Sequence, residues 1–238
     1  MVKKIMLAVL AAALLLAVVE SLTAQPPGRG PGGRRGGGGA APQGQAPLPA
    51  NEQEKKILSV LDDMDQNQRR GMMNVPQEDG RILRMLTEAI GAKHVVEIGT
   101  SNGYSGIWFC LAMQTTGGKL TTHDIDEGRA SLARENFKRA GVDNMVTLVM
   151  GDAHENITKL KGPIDIVFID ADKPGYTDYL KKMLPLVRPG GLILGHNVNM
   201  GSQMQDYIKA ITTDPNLDTI FLGQGQDLSV TLKKRQGQ

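Results

Sequence analysis

Val95-Val96-Glu97-Ile98-Gly99-Thr100-Ser101-Asn102-Gly103-Tyr104-Ser105 decides the fold. A β-type run ends in a turn with two glycines and passes directly into an apolar helical stretch, Ile107 to Met113. This places the turn at the carboxyl edge of a sheet, where open α/β folds bind their ligands. Gly99 and Gly103 are expected to let a nucleoside-bearing ligand approach the backbone, since a Cβ there would collide with it. The spacing is E-x-G-x-x-x-G and not the dinucleotide form G-x-G-x-x-G, so a pyrophosphate cradle is not encoded. An adenosyl ligand without phosphates suits the turn better.

Outward from this turn, β-type runs recur at His94–Ile98, Lys119–Asp124, Met145–Met150, Ile164–Asp170 and Gly191–Gly195, with helical stretches between them. Such alternation predicts a parallel sheet covered by helices on both faces. The rhythm breaks at the end, where Thr219–Leu222 and Leu228–Lys233 flank Gly223-Gln224-Gly225-Gln226, a hairpin signal. The expected fold is therefore α/β and Rossmann-like, a mostly parallel seven-stranded sheet closed by an antiparallel hairpin. Two helices precede it, over Glu52–Gln68 and Arg81–Ile90, with a loop containing Gly71, Pro76 and Gly80 between them.

Two acids follow the glycine turn in series. Asp124 ends the second run, where a carboxylate can accept from both hydroxyls of a ribose. Asp152, in Gly151-Asp152-Ala153 just past the third, is placed to accept from an adenine amino group. The competing reading of each is a helix N-cap. Cys110, the single cysteine, lies in the apolar stretch and reads as a core residue, which excludes disulfide frameworks and thiolate metal clusters.

The N-terminus reads as three unequal parts. Residues 1–24 carry Lys3 and Lys4, an apolar run from Ile5 to Val19 and the small-residue stretch Ser21-Leu22-Thr23-Ala24, the pattern of a secretory signal. The run is shorter than the roughly 20 residues of a transmembrane helix, which favours cleavage and export, periplasmic or secreted, over a membrane anchor. Residues 25–50 are rich in Gly, Pro, Gln and Arg and are expected to be a disordered tether. Residues 51–238 are expected to form the folded domain. Residues 1–50 hold five Lys/Arg and one acid, so of the formal net charge of +2 they supply +4 and the remainder carries −2. A domain of that charge has no nucleic-acid-gripping surface.

From about Met72 onward the chain resembles the cation-dependent O-methyltransferases of the catechol and caffeoyl-CoA type. The resemblance rests on Met72-Met73-Asn74-Val75, Val95 to Trp108, Gly151-Asp152-Ala153, Phe168-Ile169-Asp170-Ala171-Asp172-Lys173 and Pro189-Gly190-Gly191-Leu192-Ile193. It implies S-adenosylmethionine as methyl donor. Val75, Glu97, Gly99, Ser101, Gly103, Tyr104, Ser105, Asp124, Asp152, Ala153 and Asp170 would then line its site. It also implies a divalent cation on Asp170 and on the pair His196-Asn197, Lys173 as base, a small catechol-like or phenolic acceptor, and a homodimer.

The chain departs from the family at Gly195-His196-Asn197-Val198, where His196 stands in place of a carboxylate. Magnesium prefers anionic oxygen ligands, whereas imidazole suits zinc, iron, copper or nickel. Three roles stay open for His196: metal ligand, metal-free general base, or neutral substitute in a degenerate site. Tyr176 is expected to border the acceptor pocket, with Tyr104, Tyr179 and Trp108 as packing residues; His123 and His154 are expected to line loops or cap helices. Two other functions compete: an NAD-linked oxidoreductase, against which the missing third glycine argues, and a donor-binding protein without turnover.

Overall fold

The computed structural model describes residues 46–235 except Gln224 and Gln226. The expected signal segment and most of the tether lie outside the described residues. Among the described residues, no helix is long and apolar enough to cross a membrane.

The chain runs α1 (Glu52–Asn67), α2 (Gln77–Ala89), β1 (His94–Ile98), α3 (Tyr104–Thr116), β2 (Lys119–Asp124), α4 (Glu127–Ala140), β3 (Val146–Met150), α5 (Ala153–Asn156), β4 (Ile164–Ile169), α6 (Tyr176–Met183), β5 (Val187–Gly195), α7 (Gln205–Thr213), β6 (Leu217–Leu222) and β7 (Leu228–Lys233). The strands form one sheet in the order β3-β2-β1-β4-β5-β7-β6. β1 pairs in parallel with both β2 and β4, whereas β7 runs antiparallel to β5 and β6. The architecture expected from the alternation of strand and helix is the one found.

Alternation along the strands divides the interior in two. Val95, Ile166 and Phe168 face one core with α1 to α4, while Val96, Val167 and Ile169 face a second with α6 and α7. Helix α3 is buried from Tyr104 to Met113 because α1, α2 and α4 all pack on it. Cys110 is fully buried there, and burial raises its thiol pKa, so the core reading holds.

Helix α2 starts at Gln77, four residues before the expected Arg81. Pro76 supplies a fixed φ at the cap, and Glu78 and Asp79 favour the positive end of the helix dipole. Gly80 is helical for a packing reason, since a Cβ there would lie 2.3 Å from Trp108 Cδ1. Strand β5 begins earlier than expected, at Val187.

Candidate active site

The carboxyl ends of β2, β3, β4 and β5 bring three singled-out acids and His196 to one edge of the sheet. Asp124 is the last residue of β2, Asp170 follows β4, and His196 follows β5. Asp152 lies two residues beyond β3.

At the glycine turn, the backbone does something other than what spacing alone suggests. Gly99 has φ +103, and a Cβ there would lie 2.1 Å from the carbonyl oxygen of Asp170. At Gly103, φ +86, the Cβ would meet the Phe137 ring at 3.0 Å. Both glycines are thus demanded by chain-to-chain approach between neighbouring elements. Ser101 holds a left-handed conformation, φ +48, that a side-chain-bearing residue adopts only when its surroundings enforce it. Its amide donates to Asp124 Oδ2 at 2.7 Å, and its hydroxyl is buried without a partner. An orphaned hydroxyl beside a half-buried carboxylate is an arrangement that a polyhydroxyl ligand such as a nucleoside can satisfy.

Glu97 lies beneath this turn, fully buried, with Oε1 accepting from Ser105 at 2.6 Å and Oε2 from Thr122 at 2.6 Å. Burial raises its pKa to about 7, against the opposing pull of the two hydroxyl bonds, and the charges of Asp170 and Asp124 push the same way as burial. Its side chain and that of Ser105 therefore brace the turn from below. Tyr104 turns away toward α1, its ring edge-on to Trp108 and its hydroxyl 3.4 Å from Asp65 Oδ1. Val75 is likewise a core side chain.

Asp124 Oδ1 accepts the amide of Asp126 at 2.9 Å, while the cap of α4 is Asp126 itself. Asp124 is therefore not the cap. Asp152 does cap α5, accepting from His154 N at 2.7 Å, and Ala153 opens that helix. His123 proves to be a strand residue, its Nδ1 3.1 Å from the carbonyl of Glu97 and its pKa lowered mainly by burial. It lines no loop. His154 stacks on Tyr179 at 4.2 Å and contacts Asp178.

The second cluster is charged. Lys173 Nζ reaches the Tyr176 hydroxyl at 2.7 Å, Asp170 Oδ1 at 3.3 Å and the His196 carbonyl at 3.3 Å. Tyr176, fully buried, donates onward to that same carbonyl at 2.7 Å. The His196 ring stands between two carboxylates: Nε2 lies 3.0 Å from Asp79 Oδ2, and Nδ1 lies 3.4 Å from Asp170 Oδ2. The second approach is an ion-pair contact outside hydrogen-bond geometry, and Nδ1 is buried without a hydrogen-bond partner. Burial pulls the pKa of the ring down, but Asp170 and Asp79 outweigh it and hold the imidazole at about 9. Two carboxylates around one ring call for a positive charge, whether a proton or a metal ion. Asn197 follows in a left-handed conformation, φ +55.

The resemblance grouped Asp170, Lys173, His196 and Asn197, of which the structure joins Asp170, Lys173 and His196 directly, and it missed Asp79 and Asp227. Ligand atoms of Asp79, His196 and Asp227 lie within 4.8 Å of one another. Gly223, φ +85, lets the β6–β7 hairpin close over Asp79, for a Cβ there would lie 3.0 Å from Asp79 Oδ1. The acid two residues after Gln77 in a Pro-led helix start was the one available signal for Asp79.

The donor set fits a divalent cation of borderline character: a carboxylate oxygen and an orphaned imidazole nitrogen facing it, with an amide residue next in sequence.

Known proteins resemble this chain in both sequence and fold. A catechol O-methyltransferase of Niastella koreensis is 38% identical over 138 residues, 56% of this chain and 62% of that enzyme. The chain thus spans about three fifths of that relative's length. Tapetum-specific methyltransferase 1 of Arabidopsis thaliana is 38% identical over 180 residues, 66% of this chain and 77% of that protein. Among solved structures, the O-methyltransferase of Bacillus cereus in complex with SAH superposes with a TM-score of 0.64 at 26% identity, covering 79% of this chain and 93% of that one. The sequence model of the O-methyltransferase family matches residues 49–221, most of the domain just described, and the chain belongs to that family.

Proposed function

We propose that this chain is an S-adenosylmethionine-dependent O-methyltransferase acting on one hydroxyl of a small catechol-like or phenolic acceptor, with a divalent cation assisting. The observation that carries the reading is the meeting, on one sheet edge, of a braced glycine turn carrying an orphaned Ser101 hydroxyl with an acid-lysine-histidine cluster. The comparisons favour it over a nicotinamide-linked oxidoreductase.

In this reading the turn from Gly99 to Gly103 holds the donor, Asp124 accepts from its ribose hydroxyls and Asp152-Ala153 borders its adenine. Glu97 and Ser105 act through the turn they brace, and Tyr104 and Val75 support it by packing. Methyl transfer is an in-line displacement: the acceptor oxygen forms a bond to the methyl carbon as the sulfonium-carbon bond breaks, and the sulfur leaves with the electron pair. The chain therefore has to present an oxygen anion in line with the methyl. A cation held by Asp170 and His196, with Asn197 beside them, would stabilise that oxyanion and orient two adjacent oxygens. Lys173 takes the hydroxyl proton and stays near the oxygen, held in place by Asp170 and Tyr176. Tyr176 anchors the lysine to the His196 carbonyl from beneath.

Export through residues 1–24, with anchoring at a membrane as the alternative, is part of the same proposal, as is homodimer formation. Calorimetric titration with S-adenosylmethionine and with NAD, followed by methyl transfer to catechols with and without a chelator, tests the function. Binding of the methyl donor, no binding of NAD and chelator-sensitive turnover are expected. Donor binding without turnover on any phenolic acceptor would leave only a binding protein.

A further inference from the structure

Asp79 comes from the first turn of α2, is 1% exposed and stands 117 residues from the ring it contacts. Its only salt-bridge partner among the described residues is His196. The two ring nitrogens are not equivalent. Nε2 is at hydrogen-bond distance from Asp79 Oδ2, 3.0 Å, whereas Nδ1 is buried without a hydrogen-bond partner and lies 3.4 Å from Asp170 Oδ2. An imidazole that gives one N–H to a buried carboxylate presents the other nitrogen as a lone pair of fixed direction and raised basicity, the arrangement by which proteins orient histidine metal ligands.

Given the metal-assisted reading above, we propose that Asp79 is the positioning residue that locks His196 with Nδ1 toward Asp170, which makes this a nitrogen-bearing site that takes zinc, iron(II) or cobalt(II) in preference to magnesium. Two donors bound at about 2.1 Å lie about 3.4 Å apart when the angle between them is tetrahedral, and about 3.0 Å when it is octahedral. The observed 3.4 Å needs little movement to accept a tetrahedral ion. Imidazole as a ligand disfavours magnesium, whose binding depends on hard oxygen donors and near-ideal octahedral geometry. Asp227 clusters with Asp79 and His196, their ligand atoms within 4.8 Å of one another, and Oδ1 of each acid is buried and unpartnered. Because Asp79 contacts Nε2, these two acids would be ligands only of an ion seated at that nitrogen.

The test is equilibrium metal binding to the purified protein with neither methyl donor nor acceptor present, so that it can fail while the methyl-transfer reading stands. Cobalt(II) is titrated and followed by its visible d–d absorption; magnesium is compared by calorimetry. One equivalent of cobalt(II) binding at least 100-fold tighter than magnesium is expected. Asp79→Asn should weaken cobalt(II) about 10- to 100-fold and shift the absorption band, with Asp79→Glu recovering part of the affinity. Asp170→Asn should weaken it as strongly, Asp227→Asn should leave it unchanged, and His196→Asp should reverse the preference toward magnesium. Circular dichroism and thermal unfolding confirm that each variant is folded. Loss of cobalt(II) binding in Asp227→Asn with none in Asp170→Asn would move the ion to Nε2 and overturn the proposal. So would unaltered affinity in Asp79→Asn, or magnesium bound as tightly as cobalt(II).

Discussion

His196 Nε2 and Asp79 Oδ2 meet at 3.0 Å across the junction of β5 and α2, with side-chain exposures of 5% and 1%. A buried pair of this kind is costly to break from one side, because the carboxylate left behind has no water to replace its partner. His196→Ala is expected to destabilise the fold by about 3 kcal/mol or more. Adding Asp79→Asn to it should return part of that loss, since the stranded charge is removed. A urea-denaturation double-mutant cycle checks this; a double variant less stable than His196→Ala would show that Asp79 is held by something other than the ring.

Glu97 sets a second expectation through pH. Its folded-state pKa is raised to about 7 from 4.5, so the folded state binds the proton more tightly than the unfolded one. The stability this confers is complete below about pH 4.5 and is lost as pH rises through about 7. Glu97→Gln lacks that dependence. Each tenfold difference in proton affinity between the folded and unfolded states is worth about 1.4 kcal/mol. The stability difference, wild type minus variant, should therefore fall by on the order of 3 kcal/mol between about pH 4.5 and 8. Ser105 and Thr122 keep their partners in the amide variant after hydroxyl rotation. Equal pH profiles for the two proteins would mean that Glu97 titrates normally.

Trp108 gives a packing prediction with its own optical readout, since it is the single tryptophan. A Cβ on Gly80 would come within 2.3 Å of its indole, far inside contact distance, and the ring is enclosed on α3. Gly80→Ala gains helix propensity of at most about 1 kcal/mol but must displace the indole. A net loss of about 1–3 kcal/mol is expected, with a shifted fluorescence maximum. Stabilisation would show that the helix start yields more readily than the ring.

The elements that carry a strong local pattern were legible from residues alone. β1 and β2 start and stop where alternation and the flanking glycines put them, because their side chains answer to the two cores in turn. Asp170, Lys173 and His196 were legible only through the family resemblance, which singled them out where local pattern alone does not. Asp79 was not legible, since its role depends on α2 being folded across β5, a contact of high sequence separation that no local signal reports. A second purpose of Gly99 escaped the sequence for a related reason: the atom that excludes a Cβ belongs to Asp170, on a neighbouring strand end. Tyr104 likewise sits on the expected turn but packs on Trp108 and reaches toward Asp65 of α1, which spacing along one segment cannot reveal.

Asp124 accepts two backbone amides, from Ser101 and Asp126, and so is rigidly held at the edge of β2. If its free lone pairs receive ribose hydroxyls, Asp124→Asn should weaken S-adenosylmethionine binding about 10- to 100-fold, the worth of one or two hydrogen bonds to a charged group. Asp126→Ala is the control, because it removes the N-cap of α4 and an exposed pairing with Arg129 but no contact to the turn, at a cost of about 1 kcal/mol in stability. Calorimetry should find donor affinity nearly unchanged in the control. Equal losses in the two variants would trace the effect to the backbone of the turn.

Lys173 and Tyr176 separate proton handling from support. The Lys173 side-chain nitrogen touches Asp170, the Tyr176 hydroxyl and the His196 carbonyl, and in the proposed reaction it is the group that takes the acceptor proton. Lys173→Met should lower kcat about 10²- to 10⁴-fold while leaving donor affinity within a few-fold of wild type. Tyr176→Phe removes one anchor of the lysine and the bond to the carbonyl but leaves Asp170 in place. A smaller fall in kcat is expected there, with the pH profile retained, because the titrating group is still present. If Tyr176→Phe were as damaging as Lys173→Met and altered the pH profile in the same way, the phenol and not the amine would be the proton carrier. The two side chains lie 2.7 Å apart, so only this comparison of profiles, and not proximity, assigns the role.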